Sequence, residues 1–225
     1  MGVRPRRTAM RFACAVVALL ALAACGAEQG DRAPDPAGDP AVSGPPAAMP
    51  TAIPAASGAV TTRNPATVMD TGSPELCLGA VAESYPPQCR GIPLAGWSWR
   101  DHDGAFERAG DVRWGLFAVT GTFDGTTLTV RDAVPAAVYD PAPPPPEPTP
   151  CEDLAAADCH GPTEQRIAEI GEELTELPGM LTIVPSRFAV RADVVHDDGS
   201  LQAWADETYG DGVVVIASAL EPLTR

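Results

Sequence analysis

The chain has no lysine: its 15 basic residues are all arginine, set against 30 aspartates and glutamates in 225 residues. A Ser-x-x-Lys nucleophile is therefore excluded, and there is neither a Gly-x-Ser-x-Gly elbow nor a glycine-rich phosphate cradle. Histidine is nearly as scarce, with three residues, and aromatics make up 5% of the chain. Beyond the N-terminal arginines, no basic cluster breaks a formal charge of −15. That argues against nucleic acid and anionic lipid head groups as partners, since both require clustered positive charge.

What is present begins with an address. Residues 1 to 24 hold Arg4, Arg6, Arg7 and Arg11 and no acid, followed by an apolar run from Phe12 to Ala24. This is the order of an export signal, and the run is too short to span a bilayer. It closes on Leu22-Ala23-Ala24-Cys25, which resembles the lipobox of bacterial lipoproteins. The resemblance implies diacylglyceryl attachment to Cys25 with cleavage just before it. The mature chain then keeps 11 arginines against 30 acids, a net −19. Arg6-Arg7 also leaves twin-arginine export open beside the general route, although Ala9-Met10 fits it poorly.

From Gly26 to about Thr67 the sequence is Ala, Pro, Gly, Ser and Asp without apolar periodicity. It reads as a disordered tether over 25–73. As a coil of some forty residues its ends sit roughly 35 Å apart. Val68-Met69-Asp70-Thr71-Gly72-Ser73 at its end contains the active-site tetrad of aspartic proteases. No second Asp-Thr-Gly exists to share a proton with Asp70, so a turn leading into the domain is the better reading.

A globular α+β domain is expected over 74–225. Its N-terminal half is β-rich. Gly96-Trp97-Ser98-Trp99 sets two tryptophans at strand period, and Arg113–Phe123 joined by Asp124-Gly125 to Thr126–Val130 is a hairpin signal. The segment 141–150, seven of its ten residues proline, reads as an exposed polyproline loop. Thr163 then caps a helix with Ile167, Ile170, Leu174 and Leu177 on one face. Strands follow at Met180–Val184 and Phe188–His196. Ser200 caps a second helix that turns Leu201, Trp204 and Ala205 inward, and Val213–Ala217 reads as a strand buried on both faces. A mostly antiparallel sheet with two helices in the C-terminal half, in a ferredoxin-like split βαβ outline, is the expected packing.

Four cysteines remain after Cys14 and Cys25, namely Cys77, Cys89, Cys151 and Cys159, an even set that suits an oxidising compartment. Three pairings exist; the local one, Cys77 with Cys89 and Cys151 with Cys159, closes the shortest loops. Their spacing lacks the tight pairs of structural zinc modules, and no metal or other cofactor is expected. His102 in Asp101-His102-Asp103-Gly104 and His196 in His196-Asp197-Asp198-Gly199 read as turn residues. His160 could activate a thiolate only if Cys159 were free. No catalytic residue stands out. Trp97, Trp99 and Trp114 are the candidate binding surface; if buried instead, they fill a small β core.

The stretches LCLGAVAESYPPQC, GWSW, WGLFAVTGTFDGTTLTV and LQAWADETYGDGVVVIASAL, within residues 75 to 220, resemble an uncharacterised group of exported and lipoprotein-type bacterial proteins. That likeness implies no activity and no site residue beyond Cys25. The expected protein is a membrane-anchored extracytoplasmic lipoprotein, a non-enzymatic binding or accessory module of the cell envelope. It would be held to the membrane through lipid on Cys25 and engage an envelope protein or cell-wall component, with no nucleic acid. The alternative is an extracytoplasmic hydrolase using paired carboxylates.

Overall fold

The structure, a computed structural model, describes residues 47–140 and 161–223. The expected signal peptide 1–24, Cys25, the 141–150 loop, Cys151, Cys159 and His160 lie outside the described residues.

The β-rich half contains β1 (Ala59–Thr62), β2 (Ala66–Asp70), β3 (Pro74–Cys77), β4 (Ile92–Ala95), β5 (Glu107–Ala109), β6 (Val112–Phe123) and β7 (Leu128–Pro135). Strand β6 is its spine. One edge of β6 pairs with β2 through residues 113–117 and with β1 through 120–122, and the other pairs with β5 and β7. Aromatic and β-branched residues fill β6, which suits it to a pleated, half-buried surface. Its turn into β7 is fixed by Asp124, whose Oδ1 accepts the Thr127 and Thr126 N–H groups at 2.7 and 2.9 Å. Those donors, Thr127 first, hold the Asp124 carboxyl below its usual range.

The pairing closes on itself. β2, β3 and β4 form an antiparallel meander, β4 pairs parallel with β7, and β7 returns antiparallel to β6. The ring β2-β3-β4-β7-β6, with a single parallel step, has the connectivity of a five-stranded Greek-key barrel of the OB type. Alternate β6 residues Phe117, Val119 and Phe123 join Val68, Leu76, Leu94 and Leu128 in the main core. The opposite face carries a smaller cluster of Met69, Cys77 and Trp114, which Val81 and Cys89 cover from the loop after β3.

The C-terminal lobe runs α1 (Glu164–Leu174), β8 (Met180–Pro185), β9 (Val190–Val194), α2 (Ser200–Tyr209) and β10 (Val214–Ser218). β9 pairs antiparallel with β8 and parallel with β10. Thr163 caps α1 as its position suggests, its Oγ1 accepting the Arg166 N–H at 3.2 Å. Ile167, Ile170 and Leu174 of α1 meet Leu201, Trp204 and Ala205 of α2 over Val190, Ala192 and Val194 of β9. Tyr209, at the end of α2, has its phenol pushed up to about 12, by burial first and then by Glu173. Its raised value means that the stability it contributes is whole below pH ~10 and is lost as pH rises through ~12. Absorbance titration at 295 nm is expected to show one late tyrosine, which Glu173→Gln brings earlier.

β11 (Leu220–Pro222) stitches the lobes together. It follows β10 after only Ala219 but pairs with β1. At this crossing Ala219 N–H donates to Val194 O at 2.8 Å, and Arg63 N–H donates to Ala219 O at 2.8 Å. His196 is buried beside it, with Nδ1 2.9 Å from Leu220 O.

Several expectations need correction. The tether does not extend to residue 73, because β1 and β2 lie within 59–70 and contribute the buried Val60 and Val68. Residues further back along the expected tether also pack on the domain: Met49 joins the helical core and Ile53 the barrel core, while Trp204 Nε1 donates to Ala47 O at 3.3 Å. Ile53 lies between Gly125 and Gly179, two positive-φ residues where a Cβ would come within 2.9 Å of it. The α+β class holds, but the ferredoxin-like outline does not form. β7 joins β4 and β6 in the barrel, leaving β9-α2-β10 as a direct parallel unit. Strand β10 is an edge strand with only Val214 fully buried. Asp197, rather than Ser200, caps α2, its Oδ1 accepting Leu201 N–H at 2.9 Å. Trp97 and Trp99 follow β4 instead of standing on it; Trp99 opens a short 3-10 turn, Trp99–His102.

Candidate functional site

The tryptophans do not form a surface. Trp99 and Trp114 are only 7% and 8% exposed. Trp99 packs at 5.2 Å from Trp97 and 4.7 Å from Phe106, and its Nε1–H donates to Asp70 Oδ2 at 2.8 Å. The His102 ring stacks on Trp97 at 4.5 Å. Trp114 lies on the opposite face of the sheet, under Tyr85 at 5.4 Å. The candidate binding surface is thus two pieces of core on two faces of one sheet.

The aspartic tetrad is resolved by the same contacts. Asp70 ends β2, and its carboxylate accepts Trp99 Nε1–H through one oxygen and Gly72 N–H at 2.9 Å through the other. Thr71-Gly72-Ser73 is the turn into β3. The carboxylate holds a hairpin and a tryptophan in place. Other acids serve loops in the same way. Asp197 caps α2, and Asp198 Oδ1 accepts Ser200 N–H at 3.0 Å, with Ser200 foremost in keeping its carboxyl below the usual range.

A concave site does exist where the sequence gives no motif. On the outer side of the barrel a groove of about 230 Å³ runs between the β1–β2 turn, Arg63 to Thr67, and the start of the next loop, Cys77 to Val81. Leu116 of β6 lies in it, opposite Thr67 in register and 48% exposed. No lining side chain is acidic, although the chain as a whole is strongly so. Arg63 at its end donates to Asp193 Oδ1 at 2.7 Å, and Arg191 reaches the same oxygen at 3.2 Å. This ion pair joins the β1–β2 turn to β9.

The far wall is held by Cys77–Cys89, the one expected bridge within the described residues, which is formed. The loop it closes presents Tyr85, 76% exposed, beside the covered Trp114. A larger hollow of about 700 Å³ lies between α1 and the β8–β9 turn, walled by Pro162, Ile167, Ala168 and Phe188. Pro162 closely follows the undescribed stretch, so the smaller groove, whose walls are all described, is the one on which a site can be built. Sequence reasoning missed Arg63, Asn64 and Leu116. The available signal was Leu116 itself, an apolar residue out of phase with Phe117 and Val119.

No protein-family model, curated protein or solved structure matches the chain.

Proposed function

We propose that this protein is a membrane-anchored extracytoplasmic lipoprotein whose folded domain is a non-enzymatic binding module of the cell envelope. It takes a short segment of an envelope protein into the groove around Leu116. The observation that carries the reading is the groove itself: an exposed leucine in a hollow free of carboxylates, with one wall pinned by Cys77–Cys89. A pre-formed site of this kind loses little ordering entropy on binding. Export is supported by that bridge, which persists in oxidising compartments, and by the lipobox ending at Cys25. The hydrolase alternative draws less support, because Asp70, Asp124, Asp197 and Asp198 are committed to turns and caps.

Two measurements test this. Incorporation of a labelled fatty acid should be abolished by Cys25→Ala, and undiminished labelling would remove the anchor. Amine crosslinkers find no lysine here, so a photoreactive residue at position 116 is the probe for the groove. It should give one dominant adduct on intact cells. The same probe at exposed Val138 should not; with the probe moved to exposed Asn64 on the groove wall, Leu116→Glu should weaken capture at least ~10-fold, about 1.4 kcal/mol, with the melting temperature unchanged. Equal adducts from positions 116 and 138 would sink the groove.

A further inference from the structure

Among the described residues, strand β10 is the last strand on its side of the three-stranded sheet, with β9 on its inner edge. Val190 N–H donates to Val213 O and Ala219 N–H donates to Val194 O, so odd-numbered residues along this stretch direct their backbone groups toward β9. The even-numbered residues Val214, Ile216 and Ser218 therefore direct theirs outward, where another strand would add.

Two of those outward groups are already occupied by a side chain. Gln202, on the first turns of α2, donates from Nε2 to Val214 O at 2.9 Å and accepts the Ile216 N–H on Oε1 at 2.8 Å. A residue of a parallel neighbouring strand would make this same pair of bonds opposite Val215, donating to the carbonyl before it and accepting from the amide after it. The second Nε2 hydrogen goes to Asp206 Oδ1 at 2.9 Å, which fixes which end of the amide faces which partner. Both amide hydrogens and one lone pair of the amide oxygen are used, three of its four hydrogen-bonding positions.

We infer that Gln202 is an edge guard: its side-chain amide stands in for one residue of a missing strand and closes β10 against pairing with a second copy of this chain. Glutamate, though of the same size, cannot replace it, since its two acceptor oxygens would face Val214 O and the Asp206 carboxylate. Leucine covers the edge without satisfying it. Either change leaves a backbone N–H and C=O ready for a strand from another molecule, and identical edges on two copies are the nearest complement.

The test uses the full-length protein in mild detergent and compares wild type with Gln202→Leu. Residue-resolved hydrogen exchange should show the Ile216 amide exchanging roughly 10-fold faster or more in the variant, while the Ala217 amide, which faces β9, keeps its protection. Sedimentation at matched concentrations should show more self-association in the variant. The double variant Gln202→Leu with Ile216→Pro removes the outward N–H, which an edge strand tolerates, and should return association to the wild-type level. If Gln202→Leu does not fold, Gln202→Asn, one methylene short of both backbone groups, takes the same two readings. Wild-type sedimentation together with undiminished Ile216 protection would overturn the inference. So would equal loss of protection at Ile216 and Ala217, which marks general loosening of the lobe.

Discussion

Trp99→Ala is expected to lower unfolding free energy by about 3–5 kcal/mol, a large part of the ~5–15 kcal/mol that a domain possesses. The ring is buried in an aromatic cluster with Trp97, Phe106 and Phe117, so truncation opens a cavity that rigid neighbours cannot close. It also removes the only donor to Asp70 Oδ2 among the described side-chain contacts. Trp99→Phe separates the two losses: most of the apolar area stays and the Nε1–H goes, for roughly 1–2 kcal/mol. Asp70→Ala leaves Trp99 Nε1 without its acceptor and should cost a similar amount. In a double-mutant cycle by urea unfolding, Trp99→Phe and Asp70→Ala should then be strongly non-additive. A cycle that sums to zero would mean that the 2.8 Å contact contributes nothing, and would reopen Asp70 for another role.

Trp99 and Leu116 together separate stability from binding. If Leu116 lines the binding groove, Trp99→Ala lowers the melting temperature, whereas Leu116→Glu leaves melting unchanged and abolishes capture. An exposed tryptophan platform would give the reverse pattern, with binding lost at Trp99 and melting unchanged.

Sequence patterns revealed elements wherever local chemistry was strong. The Asp124-Gly125 hairpin, the Thr163 cap and the apolar face of α1 all formed, because each is fixed by hydrogen bonds or periodicity within a dozen residues. The failures share a cause: the deciding partner lies far along the chain. β1 and β2 are four and five residues long and set among prolines and alanines, and they become strands by pairing with β6 some fifty residues later. β7 looked free to start a split βαβ unit, but closing the barrel on β4 and β6 claimed both its edges. The tryptophans were ambiguous by nature, since the same period-two spacing serves a buried face and an exposed one. The groove had no motif because its lining comes from four separate stretches of chain.

Replacing both Cys77 and Cys89 with serine should have the second large effect, and it reaches the site. The bridge spans a separation of 12 residues, for which restriction of the unfolded chain corresponds to about 3 kcal/mol. In a domain of this size that is roughly 6–12 °C in melting temperature. The loss should not remain thermodynamic. Cys77 lines the groove, and the loop it anchors covers Met69 and Trp114 with Val81 and Cys89. Freed at one end, that loop exposes Trp114, so its fluorescence should shift to the red below the melting transition. Capture at position 116 should weaken in the same samples. A variant that melts within about 1 °C of wild type and still captures its partner would show that packing on Trp114 holds the loop and that the bridge is dispensable to the groove.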